Sequence, residues 1–257
     1  MDLSLLESGI GCRNYSMETN HTLPPPKPVT DLWRPDLVRL PKLTWGRRVF
    51  RFFMRGLIKL IVWLLIRVEV RSMENFPRHG PALVVINHLG DADTAVLMAS
   101  VPYSVEAIGK IELYDLPFLG KLLDLYGLIW LHRGQADIRA VRAALAGFAE
   151  GRVIAIAPEG RESVTGALEE GTNGAAFLAY KADVPIVPIA LTGTENSNIY
   201  GHMKRLRRAR ATVTVGKMFR LEKQGRGRSE AIHEGTRQIM EALAGLLPEE
   251  YRGAYRR

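Results

Sequence analysis

One histidine and one aspartate, five positions apart, offer the clearest chemistry in this chain. They lie in the segment Asn87-His88-Leu89-Gly90-Asp91-Ala92-Asp93. A carboxylate bonded to one imidazole nitrogen fixes the tautomer and raises the basicity of the other nitrogen, which makes a general base. In one continuous helix, residues at this spacing would lie about 140° apart and would not meet. Across a strand–loop–helix turn, Asp93 can point back at His88. Asp91 is a rival partner, and it also stands where a helix N-cap belongs. Gly90 would let the loop turn tightly and leave room beside the imidazole. The plainer alternative is a loop histidine beside two capping acids.

The flanking residues supply such a turn. Ala82-Leu83-Val84-Val85-Ile86 is short, apolar and β-branched, and it follows the turn-like Arg78-His79-Gly80-Pro81, so it reads as a buried strand. Thr94 to Ser100 reads as a helix. From Val68 onward the two patterns alternate. Strands are expected at Val68–Arg71, Ala82–Ile86, Val105–Ile108, Leu128–Leu131, Val153–Ala157, Ile186–Leu191 and Ala211–Phe219. Helices are expected near 94–100, 116–126, 136–150, 172–182 and 229–246. This predicts an α/β domain over 68–257, with a largely parallel central sheet and helices on both faces. In such sheets, sites form at the carboxyl ends of strands. Arg133 and Glu159 fall at two further strand ends. A guanidinium's fork of donors suits a phosphate, although a surface arginine after an edge strand is the plainer reading. Pro158-Glu159-Gly160, taken alone, is a turn.

The formal net charge is +8 and the isoelectric point about 9.7. That balance suits an anionic partner: a phosphate ester, an anionic membrane or nucleic acid. The single cysteine, Cys12, excludes an intramolecular disulfide and a cysteine-rich metal site. The remaining histidines (His21, His79, His132, His202, His233) lack metal-ligand spacing, and no metal is expected. A Gly-x-Ser-x-Gly elbow, a Walker loop and a dinucleotide glycine motif are all missing.

The first 41 residues carry Pro24, Pro25, Pro26, Pro28, Pro35 and Pro41 and read as a flexible, extended tail, with Leu32, Trp33 and Leu37 able to pack. Residues 42–67 read as an amphipathic helix. Arg48, Arg51, Arg55 and Lys59 form one basic stripe. Phe50, Phe53, Leu57, Leu60, Ile61 and Leu64 lie opposite, with Trp45 and Trp63 near the ends. Such a helix suits a membrane interface. A core-packing helix with a solvated charged face gives the same pattern. The cluster Lys204-Arg205-Leu206-Arg207-Arg208-Ala209-Arg210 reads as a solvated loop or as a contact for anionic lipid. No secretory leader is visible, and no apolar run reaches the roughly 18–20 residues of a membrane span. A soluble or membrane-attached protein facing the cytoplasm is expected.

Four segments, in order, resemble the glycerolipid acyltransferase superfamily, the lysophosphatidate and glycerol-3-phosphate acyltransferases. Asn87 to Asp93 resembles the first motif, Asn-His-x-x-x-x-Asp after an apolar strand. Gly127-Leu128-Ile129-Trp130-Leu131-His132-Arg133 resembles the second. Ala157-Pro158-Glu159-Gly160-Arg161-Glu162-Ser163 resembles the third, Phe-Pro-Glu-Gly-Thr-Arg-Ser, with the positive charge moved one place onto Arg161. Val184-Pro185-Ile186-Val187-Pro188 resembles the fourth. Gly109-Lys110-Ile111-Glu112-Leu113 adds a further match.

The resemblance implies an enzyme that moves a fatty acyl group from acyl-CoA or acyl carrier protein to a hydroxyl of a lysophospholipid, above all 1-acylglycerol 3-phosphate. It implies His88 and Asp93 as catalytic residues. It implies Lys110, Arg133, Glu159, Gly160 and Arg161 as substrate-binding residues, with Glu159 on an acceptor hydroxyl or orienting Arg133. No cofactor beyond the acyl donor is needed. The expected setting is the anionic cytoplasmic face of a membrane, as a peripheral or monotopic protein, with no nucleic-acid partner. Glycerol 3-phosphate or another lipid is an alternative acceptor. A non-enzymatic basic protein that binds membranes or nucleic acid is the alternative class.

Overall fold

The computed structural model describes residues 25–134, 136–222 and 227–256. Helix α1 (Trp45–Leu65) leads directly into strand β1 (Ile66–Arg71). Strands and helices then alternate: β2 (Ala82–Ile86), α2 (Ala92–Ser100), β3 (Glu106–Lys110), α3 (Leu119–Tyr126), β4 (Ile129–Leu131), α4 (Ile138–Ala149), β5 (Val153–Ile156) and α5 (Asn173–Ala182). After them come β6 (Ile186–Thr192), α6 (Asn196–Lys204), β7 (Ala209–Val215) and α7 (Arg228–Leu246). The strands form one sheet in the order β1-β7-β6-β2-β5-β3-β4. Strands β2 to β6 run parallel, β7 is antiparallel to β6, and β1 is parallel to β7. The expected largely parallel α/β sheet is the one that forms.

Strand β2 sits near the middle and is covered on both faces, which is why all five of its residues are apolar. Alternation divides them. Leu83 and Val85 pack with Ala144, Leu178 and Met240 from α4, α5 and α7. Ala82, Val84 and Ile86 pack with Val62, Val96 and Leu97 from α1 and α2. Two hydrophobic layers on one strand therefore hold β2 rigid and deliver its carboxyl end to a fixed place.

Pro188 lies inside a central strand, which normally argues against that position. Here the ladder to β7 is interrupted. Regular pairing begins at Ile189 opposite Val215, and Ile186 pairs instead with Phe219. Pro188 has only to accept a hydrogen bond, from Gly216 N–H at 2.8 Å.

Helix α6 is not among the helices expected from sequence. Its first turn, Asn196-Ser197-Asn198, consists of weak helix formers. Ile199 alone of its residues is buried. Polar contacts with the loop after β2 anchor it.

Two expectations for the N-terminal segment need correction. Residues 25–41 are extended, as the prolines dictate, but they do not form a loose tail. Leu37 and Val38 are buried with Ile111, Leu128, Trp130 and Ala140, and Arg152 donates to the Pro41 carbonyl at 2.9 Å. Proline forbids a helix without forbidding burial. The expectation for residues 1–24, Cys12 included, lies outside the described residues.

The second correction concerns α1. Its basic stripe does not face outward as a unit. Arg51 is 5% exposed, pairs with Glu106 on β3 at 2.7 Å and lies 5.0 Å from the Tyr126 ring centroid. Arg55 donates to the carbonyls of Val101 and Pro102. Arg48 and Lys59 remain exposed. The apolar face points away from the domain, with Trp45, Phe52, Phe53, Leu57, Leu60, Trp63 and Leu64 all exposed. This removes the core-helix alternative. Helix α3 adds exposed Leu119, Leu122 and Leu125, preceded by Phe118 at 88% exposure. Arg47 joins the two helices by donating to Asp124 O at 2.8 Å. Among the described residues, no helix is long and apolar enough to cross a membrane.

Breaking a buried ion pair from one side typically costs about 3–5 kcal/mol, whereas an exposed charge change stays within about 0.5 kcal/mol. Arg51→Glu, which sets a second acid against Glu106, is expected to lower the unfolding free energy by that larger amount. Lys59→Glu, on the same helix, should leave it nearly unchanged. Denaturant unfolding of the two variants measures both, and equal small effects would show that the pair contributes nothing.

Candidate active site

The strands β2, β5, β3 and β4 end side by side on one edge of the sheet. His88, Glu159 to Arg161, Lys110 and Arg133 follow these four ends in that order. The parallel topology therefore gathers every residue singled out from the sequence onto one edge.

His88 and Asp93 meet as their spacing suggests. Nδ1 of His88 lies 2.7 Å from Oδ2 of Asp93. The Asp93 carboxylate is completely buried, and the same oxygen accepts the backbone N–H groups of Leu89 at 2.7 Å and Gly90 at 3.0 Å. With Nδ1 engaged, Nε2 is the nitrogen left to act, and the imidazole is 32% exposed. Asp91 is not the partner. It occupies the position before α2 without a side-chain cap, and its Oδ2 accepts from Tyr200 Oη at 2.9 Å. Burial alone would lower the pKa of His88. The hydrogen bond and charge of Asp93, helped by Glu162 and Glu159, outweigh it and hold the pKa above the ordinary histidine value.

Neighbouring loops fix the backbone of this turn. Asn87 at the end of β2 bonds twice to Leu191 on β6, donating to its carbonyl at 2.9 Å and accepting its N–H at 2.7 Å. The N–H of His88 donates to Glu159 Oε1 at 2.8 Å, and its carbonyl accepts from Ser163 N–H at 2.8 Å. The first and third motifs are thus joined through the main chain of His88. Gly90 needs no left-handed conformation. It needs closeness, because a Cβ there would meet Asn196 Oδ1 and Thr194 O at 2.7 Å. The space that it leaves is taken by the start of α6, not by a substrate.

Glu159 is fully buried, and its second oxygen accepts Glu169 N–H at 2.7 Å. Burial, with the nearby charge of Glu169, pushes its pKa up to about 7 against the lowering pull of the two N–H donors and His88. Both oxygens serve backbone groups, not Arg133. Gly160 follows with φ +76°, a conformation that suits glycine. Arg161 is 7% exposed. Its Nε bonds Glu169 at 2.6 Å, and its Nη1 donates to the carbonyls of Pro25 at 2.5 Å and Pro26 at 3.3 Å. Arg161 therefore ties the N-terminal segment down. Glu162, in the place where the resembled motif has arginine, accepts from Asn196 Nδ2 at 2.8 Å. Its pKa is raised by burial against the pull of His88. Lys110 is exposed at the end of β3. Arg133 lies within 3.6 Å of Glu112, and its buried Nε has no hydrogen-bond partner.

Residues 67–192 match the family model described as Acyltransferase. That segment, just under half of the chain, is an acyltransferase-family domain. It is 28% identical over 156 residues to the 1-acyl-sn-glycerol-3-phosphate acyltransferase of Borreliella burgdorferi, a span of 58% of this chain and 61% of that one. It is 26% identical over 217 residues to the protein of the same name from Pseudomonas aeruginosa, covering 80% and 82%. Several other curated relatives are spanned over a little under half of their length. The crystal structure of the 1-acyl-sn-glycerophosphate acyltransferase PlsC from Thermotoga maritima shares the fold, with a TM-score of 0.58 at 21% identity over 79% of this chain and 84% of that one.

Within this acyltransferase domain, a second histidine–aspartate pair escaped the sequence reading. His132 and Asp137 repeat the spacing at the end of β4, with Nδ1 and Oδ2 2.6 Å apart. This pair is closed. His132 is 1% exposed, its Nε2 accepts Arg34 N–H at 3.1 Å, and Trp33 covers the ring with centroids 4.8 Å apart. Asp137 instead caps α4 through Arg139 N and Ala140 N. The anchoring roles of Asn87 and Asn196 were also missed. Leu191, the partner of Asn87, and Asp91, one partner of Asn196, lie more than a hundred positions away, where no local pattern points.

The shift of His88 can be read directly. NMR titration of its imidazole is expected to give a midpoint above the free value of about 6.5. Asp93→Asn should move that midpoint down, because burial then acts with less opposition. A reaction that needs the neutral ring would gain rate as pH rises through the midpoint. An unchanged midpoint in Asp93→Asn would separate the carboxylate from the basicity of His88.

Proposed function

We propose that the protein is an acyl transferase acting on 1-acylglycerol 3-phosphate, with acyl-CoA or acyl carrier protein as donor and phosphatidic acid as product. The observation that carries this reading is the partly exposed His88, held at Nδ1 by a buried carboxylate on the carboxyl edge of an acyltransferase domain. Nε2 of His88 takes the proton of the acceptor hydroxyl as its oxygen attacks the thioester carbonyl. The tetrahedral intermediate collapses, the carbon–sulfur bond breaks, and the departing thiolate receives that proton. Direct transfer fits because, among the described residues, no Ser or Cys is bonded to the histidine ring: Ser163 meets His88 through its backbone N–H and turns its hydroxyl to Ala167 O.

Arg133 and Lys110 hold the acceptor phosphate in this reading. The side chain of Arg133 is 20% exposed, which leaves part of its guanidinium open to an acceptor. Arg161 is assigned no part, since Glu169 and the proline carbonyls take its Nε and Nη1. One observation favours a second acceptor class. Glu162 lies near His88 in the place where the resembled motif carries arginine, with Asp91 close to it, and acids there suit a zwitterionic lysophospholipid better than a phosphomonoester.

An acyl-CoA assay across 1-acylglycerol 3-phosphate, glycerol 3-phosphate and zwitterionic lysophospholipids tests both. His88→Ala should cut turnover by roughly 10²–10⁴-fold. Arg133→Ala should raise the KM of a phosphorylated acceptor by about 10-fold or more while sparing the donor's KM. A wild type inactive on every acceptor would end the reading.

The same reading seats the exposed faces of α1 and α3 in a membrane interface, with Trp45 and Trp63 at its border and Arg48, Lys59 and Lys121 on anionic headgroups. This revises the orientation expected from the stripe, since Arg51 and Arg55 are held by the domain. Changing Phe53, Leu57 and Leu64 to Ser is expected to abolish co-sedimentation with lipid vesicles without lowering the melting temperature. A sharp drop in melting temperature with unchanged sedimentation would refute the interfacial role.

A further inference from the structure

The segment before the family domain crosses the same carboxyl edge that carries His88. It touches the loops after three strands. After β5, Arg161 holds the carbonyls of Pro25 and Pro26, and Lys27 Nζ donates to Glu170 O at 2.6 Å. Farther along, Arg34 pairs with Asp115 at 2.7 Å. Between these anchors, Thr30 joins the loop after β4 to the loop after β3.

Thr30 is 6% exposed, and its N–H and its hydroxyl are both in use. Its N–H donates to Arg133 O at 3.0 Å. Its Oγ1 accepts from Arg133 N at 2.8 Å and donates to Glu112 Oε1 at 2.9 Å. That carboxylate oxygen lies 3.6 Å from Nη2 of Arg133. Burial would raise the pKa of Glu112, but its own backbone, Thr30 and Arg133 together bring it below the ordinary value. One hydroxyl thus pins the backbone of Arg133 and fixes the acid that orients its guanidinium.

We propose that Thr30 is a positioning residue for acceptor binding: it sets the direction in which Arg133 presents its remaining donors to the acceptor phosphate. The substrate site is then incomplete without the segment that precedes residues 67–192. The contribution is one of preorganisation, because a guanidinium free to swing loses rotamer freedom on each binding event. The inference rests on the acyltransferase reading above.

The test uses the full chain, acyl-CoA and the best phosphorylated acceptor of the panel. Thr30→Val keeps the shape and removes the hydroxyl; Thr30→Ser keeps the hydroxyl. Thr30→Val should raise the acceptor KM about 10-fold, with kcat and the donor KM within about 2-fold. Thr30→Ser should restore the acceptor KM. In the Thr30→Val, Arg133→Ala double variant, the acceptor KM should be no worse than in Arg133→Ala alone, because both act through one contact.

Additive effects, equal changes in both KM values, or a serine variant that fails to rescue would each overturn the proposal. A lowered melting temperature with an unaltered acceptor KM would reduce Thr30 to a structural tie and overturn it too. An active wild type whose Arg133→Ala variant binds the acceptor normally leaves the transferase standing and removes both Arg133 and Thr30 from the site. A wild type inactive on every acceptor overturns the functional reading, and this inference falls with it.

Discussion

A carboxylate without access to water must be met by donors, and the turn after β2 is built around that requirement. Asp93 is sealed off; its Oδ2 receives the imidazole of His88 and two backbone N–H groups, while its Oδ1 has no hydrogen-bond partner. The cost of burying an unmet charge would run to several kcal/mol, so the loop has little freedom to relax into another shape. The aim of His88 follows from the three donors gathered on that one oxygen. The flanking ties follow from the same constraint. A turn so tightly specified needs a fixed strand end, which the Asn87 amide supplies, and a fixed neighbour, which Glu159 supplies through the main chain of His88.

The edge of the sheet holds two such turns, and the difference that matters for chemistry is cover. Both place a histidine after a strand and an aspartate at the start of the next helix. At β4 the ring is buried under Trp33 and its second nitrogen is spoken for by Arg34. At β2 the ring is partly open and its second nitrogen is left over. Spacing alone therefore describes a way of ending a strand and starting a helix, and access to the ring is what turns it into a base.

Much of this was legible from residue patterns. Strands buried on both faces read as short apolar runs, so β2 is placed to the residue and β5 to within one. The carboxyl-edge position of His88, Arg133 and Glu159 follows once those strands are parallel. The failures share one cause. An amphipathic helix declares two faces but not which of them meets the domain; that is decided by Glu106, 55 positions from Arg51. Prolines exclude a helix over residues 25–41 without saying that Thr30, Leu37 and Val38 find partners across the domain. Arg161 reads as a phosphate ligand until Glu169 and two proline carbonyls are seen to occupy it. Asn196, at the start of an unexpected helix, works through groups on a distant loop. Each miss is a long-range partner that overrode a sound local inference.

The buried pair of Arg51 with Glu106 also has a mechanical meaning. Glu106 begins β3 and Lys110 ends it, a length of about 13 Å at the rise of an extended strand. A helix joined only by a linker would absorb any push or tilt in that linker. Here α1 is bolted to the base of the strand whose tip carries Lys110, on the same edge of the sheet as His88. The outer helix is a handle on the sheet, and whatever grips it fixes the height and tilt of the whole reactive edge as a single lever.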